Sequence, residues 1–272
     1  MPSPTTITVP QLSRLIGMPH GPVFIDVRPD EDFAADPRLI PGTIRRSAAE
    51  PATWTAELSG KKVIVGCRKG TSLSEGVAAY LRHENISAEM LEGGLEAWSA
   101  AKQPLLCTDK LPPRDARGRT VWVTRARPKI DRIACPWLIR RFVDPNAVFL
   151  FVAAPEVLAV AKRFAATPFD IDGVFWSHRG ERCTFDTMLD EFGLELPALR
   201  TLATIVRGAD TAQLDLAPEA AGLLAVSLGL SRMYRDDLEQ LAAGMTVYDG
   251  FYRWARDAGD ETHNWPTNKP GA

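Results

Sequence analysis

The sequence predicts two α/β domains in series. The first is a three-layer domain built on a parallel sheet. The second is a mostly helical domain, α/β or α+β, with a small sheet. Three observations lead there. The apolar run Val63, Ile64, Val65 enters Gly66 and Cys67, and a helical pattern begins at about Ser72. That is the strand–loop–helix unit of a parallel sheet. Prolines at 104, 112 and 113, with charged and polar residues around them, interrupt regular patterning. Beyond residue 197 the pattern is mostly helical, after only a few strands. The expected division is a first domain over 1–106, a linker over 107–117, a second domain over 118–258 and a loose tail over 259–272.

A chain of 272 residues can bury two cores of ordinary size. Apolar residues at 45% and charged residues at 24% are a globular composition, and a net charge of -2 gives no general attraction for nucleic acid. The first six residues carry neither a basic segment nor an apolar core, and no apolar run approaches the length of a membrane span. Neither a signal peptide nor a membrane partner is expected. The four cysteines, at 67, 107, 135 and 183, include no C-x-x-C pair. They are no disulfide framework, and a reducing, cytoplasmic setting is expected.

In the first domain, residues 10–16 read as a short amphipathic helix with Thr8 or Val9 near its cap. Residues 22–28 form an apolar strand ending in Asp26 and Arg28, for which a local ion pair is the expected role. Glu31 to Phe33 opens a short helix, and Ile40-Pro41-Gly42 is a turn into a short strand. A helix is expected over 51–58, ended by Gly60. After the helix that runs to about 83, residues 88–91 are a strand and 92–98 a loop turning into a helix. In the second domain, 120–124 is a strand, 125–132 a basic loop and 133–142 a helix. The nearly all-apolar residues 147–152 are expected as a central strand. A helix starts at Ala154-Pro155-Glu156 and runs to about 164. Short strand pieces follow at 168–171 and 173–176, then a helix over 185–192 capped by Cys183 or Thr184. Further helices are expected over 197–206, 218–227, 235–242 and 245–257, with Arg207 to Asp210 as a polar corner.

The chemistry concentrates on Cys67. A buried strand delivers it to the carboxyl end of a sheet, beside the positive end of the next helix and among loop N–H groups. Such surroundings lower a cysteine pKa and favour thiolate. Arg68 and Lys69 place positive charge at the mouth, and Gly70 lets the backbone curl. A buried structural cysteine is the plainer reading of the same residue. Cys107, in the linker, reads as incidental or as a resolving thiol.

The loop resembles the active-site loop of the rhodanese family, with Cys67 and Gly70 in register. The Asp26-Val27-Arg28 strand end, the Ile40-Pro41-Gly42 turn and Gly93-Gly94 with Trp98 also match family landmarks. Two positions depart: Ser72 stands where many members have arginine, and Leu39 where a histidine is usual. The resemblance, over about residues 7–104, implies sulfur transfer from thiosulfate or a similar sulfane donor, through a Cys67 persulfide, to a thiol or cyanide. It implies no cofactor for that transfer. Loop amides from Arg68 to Ser72 would stabilise charge on sulfur, Arg68 or Lys69 would hold the anionic leaving group, and Thr71 and Ser72 would add hydrogen bonds. A phosphatase loop needs an arginine six places past the cysteine, where this chain has Leu73.

The second domain opens with a cationic stretch in which Arg125, Arg127 and Arg132, together with Arg207, are candidates to bind an oxyanion such as chromate or sulfate. Cys135, His178 and Cys183 are suitable ligands for a metal ion, with Asp131 on the same helix-entry segment. They are equally read as two core cysteines and a hydrogen-bonded histidine. Residues 120 to about 254 resemble the carboxyl-terminal domain of ChrB-type chromate resistance proteins. Trp122-Val123-Thr124-Arg125, the run from Lys129 to Phe142, His178 with Cys183-Thr184-Phe185-Asp186, and Val206-Arg207-Gly208-Ala209-Asp210-Thr211 carry this resemblance. It implies a role in chromate resistance. The alternative to an enzyme is an oxyanion-responsive sensor or transcriptional regulator with a catalytically weak first domain. No recognition-helix pattern accompanies the nucleic-acid version of that reading, and no G-x-G-x-x-G supports a direct reductase.

Overall fold

The apolar run at 63–65 lies in the central strand of a five-stranded parallel sheet. A computed structural model describes residues 5–261. Its first sheet contains β1 (Thr6–Ile7), β2 (Val23–Asp26), β3 (Thr43–Arg45), β4 (Lys62–Gly66) and β5 (Ser87–Leu91), in the order β1-β5-β4-β2-β3. Strand alternation divides β4 between two layers. Val63 and Val65 pack with Val77, Ala78 and Leu81 of α3 (Ser72–His83). Ile64 faces the other way, into the core containing Leu12 of α1 (Val9–Ser13) and Trp98 of α4 (Gly94–Ala100). Both faces are covered, so the strand has no polar side to show. Thr8 caps α1 through a box with Gln11. Helix α2 (Asp30–Ala35) follows β2.

Asp26 and Arg28 form the expected clamp. Both are about 95% buried, and the guanidinium reaches Asp26 Oδ2 at 2.7 Å and the carbonyls of Asp36 and Arg38 at 2.7 and 2.8 Å. The expected helix over 51–58 is instead two 3-10 turns, Pro51–Thr53 and Thr55–Leu58. Between them Trp54 is buried, with its indole N–H donating to the Ser47 carbonyl.

The second sheet is small and parallel: β6 (Val121–Arg125), β7 (Val148–Val152) and β8 (Thr167–Pro168), in the order β7-β6-β8. The apolar β7, expected at the centre, is an edge strand; β6 is central, with Trp122, Val123 and Thr124 fully buried. Around it stand α5 (Asp131–Leu138), α6 (Val157–Phe164), α7 (Thr184–Phe192), α8 (Pro197–Asp210), α9 (Glu219–Met233) and α10 (Asp237–Asp257). Arg207 to Asp210 form the last turn of α8 rather than a corner, and α10 is one helix where two were expected. Gly244 explains the second difference. A Cβ there would lie 2.6 Å from Ile133 Cγ2, so the glycine serves close packing of α10 on α5 and does not end the helix.

The chain entering the linker is docked, whereas Asp109, Lys110, Pro113, Arg114, Ala116 and Arg117 are exposed. Leu39 and Leu106, both buried, form an antiparallel bridge, and Cys107 N–H donates to the Phe192 carbonyl at 2.9 Å. The side chain at position 39 is buried beside this bridge, surroundings that suit leucine better than histidine. One apolar core runs through both domains, joining Leu12, Phe24 and Trp98 to Trp137, Phe142 and Tyr252. Gly17 packs on the Phe142 ring, and Gly42 N–H donates to the Phe142 carbonyl at 2.7 Å. Of the tail, residues 262–272 lie outside the described residues.

Candidate functional site

Cys67 follows β4 directly and is 6% exposed. The loop after it is shaped from outside by α4. Leu95 and Glu96 N–H groups take the Cys67 and Arg68 carbonyls, each at 3.0 Å. With those carbonyls held outward, loop N–H groups turn toward the sulfur. Hydrogen bonding from the Thr71, Ser74 and Lys69 N–H groups favours its charged form. The fit is close. Gly70 has φ +63°, and a Cβ on it would lie 2.5 Å from the Leu91 carbonyl oxygen and 2.7 Å from the N of Gly93 and of Gly94.

The residue that completes the site is Ser74, fully buried, with its Oγ 3.2 Å from Cys67 Sγ. The same hydroxyl lies 3.2 Å from the Thr71 carbonyl, to which it donates when the thiol is protonated. On loss of the thiol proton it can turn and donate to sulfur. Burial pushes the Cys67 pKa up, but the Ser74 hydroxyl and the N–H groups of Thr71, Ser74 and Lys69 outweigh it and hold the pKa below its ordinary value. The depressed pKa stabilises the fold above the unfolded thiol's pKa, and that contribution is lost as pH falls through the folded value. Ser74→Ala will shift the pH profile of Cys67 alkylation by iodoacetamide upward and slow alkylation about fivefold at neutral pH, the effect of one net hydrogen bond. An unchanged profile would show that the amides alone set the thiolate.

Around the mouth the two cations differ. Arg68 is held by Glu96 at 2.9 Å and Asp32 at 3.3 Å. Lys69 is exposed and has no ion-pair partner among the described residues. Thr71 and Ser72 are exposed at the start of α3. Cys107 lies against Gly193 of the second domain, where a Cβ would be 2.9 Å from its sulfur.

In the second domain the expected groupings change. The four arginines do not form an anion cradle, because acids and carbonyls hold them. Arg125 and Arg132 meet on Asp170, at 3.3 and 3.2 Å. Arg127 caps the end of α9 through the Ser231 and Tyr234 carbonyls. Arg207 binds Asp186 at 3.0 Å. Nor do Cys135, His178 and Cys183 gather as a ligand set. Cys135 is fully buried on α5, and Cys183 is the N-cap of α7, where its N–H and Sγ engage Asp186. Burial raises both thiols well above their ordinary pKa, so both stay protonated.

His178 meets aspartates instead. Its Nε2 lies 3.2 Å from Asp210 Oδ2, 3.4 Å from Asp170 Oδ1 and 3.5 Å from Asp131 Oδ2. Hydrogen bonds to Asp170 and Asp210, against burial, raise its pKa to about 10. Asp131, completely buried, is raised well above the usual carboxylate value by burial and by the charges of Asp210 and Asp170.

Two family descriptions match the chain: "Rhodanese-like domain" over residues 8–101 and "ChrB, C-terminal domain" over residues 122–255. The chain joins a rhodanese-like domain to a ChrB C-terminal domain. A curated relative, Protein ChrB of Cupriavidus metallidurans, is 37% identical over 145 residues, which cover 52% of this chain and 42% of that protein. The chain thus matches less than half the length of that relative. Among solved structures, a rhodanese-like domain protein from Staphylococcus aureus is 27% identical, with TM-score 0.31, covering 35% of this chain and 90% of that one. A rhodanese-related protein from Thermoplasma volcanium is 22% identical, with TM-score 0.33, covering 37% and 95%. Cys67 and its loop lie within the rhodanese-like match, and the aspartate–histidine cluster lies within the ChrB match. No helix among the described residues is long and apolar enough to cross a membrane.

Proposed function

We propose that the protein is a sulfurtransferase acting through Cys67, in the setting of chromate resistance. The observation that carries this reading is the Cys67 sulfur buried at the end of β4 with the Ser74 Oγ 3.2 Å away, its pKa held low against burial by that hydroxyl and by the Thr71, Ser74 and Lys69 N–H groups. The thiolate attacks the outer sulfur of thiosulfate. A bond forms between Cys67 Sγ and that sulfur, the sulfur–sulfur bond of the donor breaks, and sulfite leaves with the electron pair. The charge on the new terminal sulfur faces the N–H groups and hydroxyl that stabilised the thiolate. An acceptor thiolate or cyanide then attacks the terminal sulfur and releases the Cys67 thiolate. Each transfer moves one sulfur without an oxidant or reductant; with a dithiol acceptor, the second thiol then attacks the inner sulfur of the new persulfide, closing a disulfide and releasing sulfide.

Lys69, unlike Arg68, keeps its charge uncommitted for the departing anion. The chromate setting rests on the ChrB resemblance: chromate consumes thiols and resembles sulfate, so sulfur handling and resistance have common chemistry. The oxyanion-sensor reading draws less support, because Arg125, Arg127, Arg132 and Arg207 all have protein partners.

The test is steady-state sulfur transfer by the full-length protein with thiosulfate as donor and cyanide or a dithiol as acceptor. Thiocyanate or sulfide should form with saturation in both substrates. No turnover with thiosulfate or with organic persulfide donors would remove the proposal.

A further inference from the structure

Four separate segments bring polar side chains to one point at the carboxyl end of β6. Asp131 opens α5, Asp170 follows β8, His178 precedes α7 and Asp210 ends α8. We propose that Asp131, Asp170, Asp210 and His178 form a binding site for a first-row divalent cation of the Mn(II), Fe(II), Co(II) or Zn(II) class, through three oxygens and one nitrogen.

Ligand atoms of Asp131, Asp170 and His178 all lie within 4.8 Å of one another, and Asp210 Oδ2 is 3.2 Å from the same ring nitrogen. Asp131 is completely buried and Asp170 is 6% exposed. Carboxylates this close, in so little water, repel one another strongly. The one proton that Nε2 can carry serves three oxygens poorly, whereas a divalent cation can contact them all.

Independent of the cluster, β6 provides a second sign. Thr124 is fully buried, and its hydroxyl has no hydrogen-bond partner among the described residues. Strand alternation puts it on the same face as Trp122, which packs into the core shared with α5 and α7. The opposite face carries Val123 and packs on α6. The unpartnered hydroxyl therefore lies on the side where α5 and α7 begin, at the strand end flanked by Asp170. There a cation, or water bound to it, would satisfy it.

The ligands are also oriented from behind, as metal ligands are. Asp131 accepts Thr184 N–H at 2.6 Å and Phe185 N–H at 3.4 Å. Asp170 Oδ1 accepts the Thr184 hydroxyl at 2.9 Å, while Arg125 and Arg132 hold its Oδ2. The His178 side chain is 39% exposed, which leaves an entry path. Imidazole with carboxylates suits first-row divalent ions, whereas magnesium and calcium prefer oxygen alone and soft ions prefer thiolate. The proposal does not depend on sulfur transfer by Cys67.

The test uses the full-length protein, stripped with chelator and titrated with Zn(II) and Mn(II) by calorimetry and with Co(II) by absorption. The expected result is one cation per chain. Cobalt should show d–d bands without a thiolate charge-transfer band, unchanged in Cys67→Ser. Asp210→Asn and His178→Ala, both toward the open side, should each weaken binding by about tenfold or more. X-ray absorption of the wild-type zinc form should show an imidazole, oxygens and no sulfur, which holds even if a variant fails to fold. No binding by the folded wild type, sulfur in the ligand shell, or affinity unchanged in both variants would overturn the site.

Discussion

Gly94→Ala is expected to slow sulfur transfer by about a hundredfold or more and to destabilise the protein by about 3 kcal/mol, the sum of an overpacking cost and a left-handed backbone cost for a residue with a side chain. Gly94 has φ +57°. A Cβ there would lie 2.3 Å from the Cys67 carbonyl oxygen, 2.5 Å from Gly70 N and 2.8 Å from the Arg68 carbonyl oxygen. All three are backbone atoms of the sulfur-binding loop, so no flexible side chain can move aside. The loop must shift instead, and its N–H groups go with it. A displacement of about 1 Å suffices to cost about a hundredfold in rate. Chemical denaturation and the cyanide assay read the two effects separately. Activity within a few-fold of wild type would mean that the loop amides are not what organises the sulfur.

Asp26→Ala lowers the unfolding free energy by about 3–5 kcal/mol, the cost of leaving one member of a buried ion pair without its partner. Asp26 accepts four hydrogen bonds from the backbone and guanidinium of Arg28, at 2.7 to 3.1 Å. Without the carboxylate, the Arg28 charge remains buried with no anion paired to it among the described residues, left to the Asp36 and Arg38 carbonyls and the face of the Phe33 ring, 5.1 Å away. Activity falls as well, since Asp26 pairs in register with Gly66, the residue before Cys67. The double variant Asp26→Leu with Arg28→Met removes both charges and recovers part of the stability. A loss under 1 kcal/mol for Asp26→Ala would show that the pair is solvated.

The fold of the first domain was legible in the sequence because a strand covered on both faces must be apolar throughout, and the run at 63–65 had no other use. The same rule misplaced β7. An apolar run reports coverage, and helices can cover an edge strand as well as a central one. Ser74 was within reach too: it shares the inward face of α3 with Val77, Ala78 and Leu81, at the spacing of one helix side. A polar residue on the apolar face, in the first turn of the helix that follows a nucleophile, is the signal that would have found it.

The second site was legible only in part: His178 and Asp131 were singled out as candidates, Asp170 and Asp210 were not. Asp131, Asp170, His178 and Asp210 come from four segments, and only tertiary packing brings them together. The cysteines drew attention by residue type, yet Cys183 is turned into a helix cap with Asp186 and Cys135 into the core. Leu39 shows the reverse case. A departure from family pattern sits at a buried position, beside the backbone bridge to Leu106 at the end of the same domain.

The most direct measurement is a single turnover followed by intact mass. Reduced full-length protein is mixed with thiosulfate, without acceptor, and both the protein mass and free sulfite are measured. The predicted result is a gain of one sulfur atom per chain, one sulfite released for each, reversal on adding cyanide, and no gain in Cys67→Ser. A folded protein whose Cys67 is alkylated readily, yet gains no sulfur and releases no sulfite, would contradict the account.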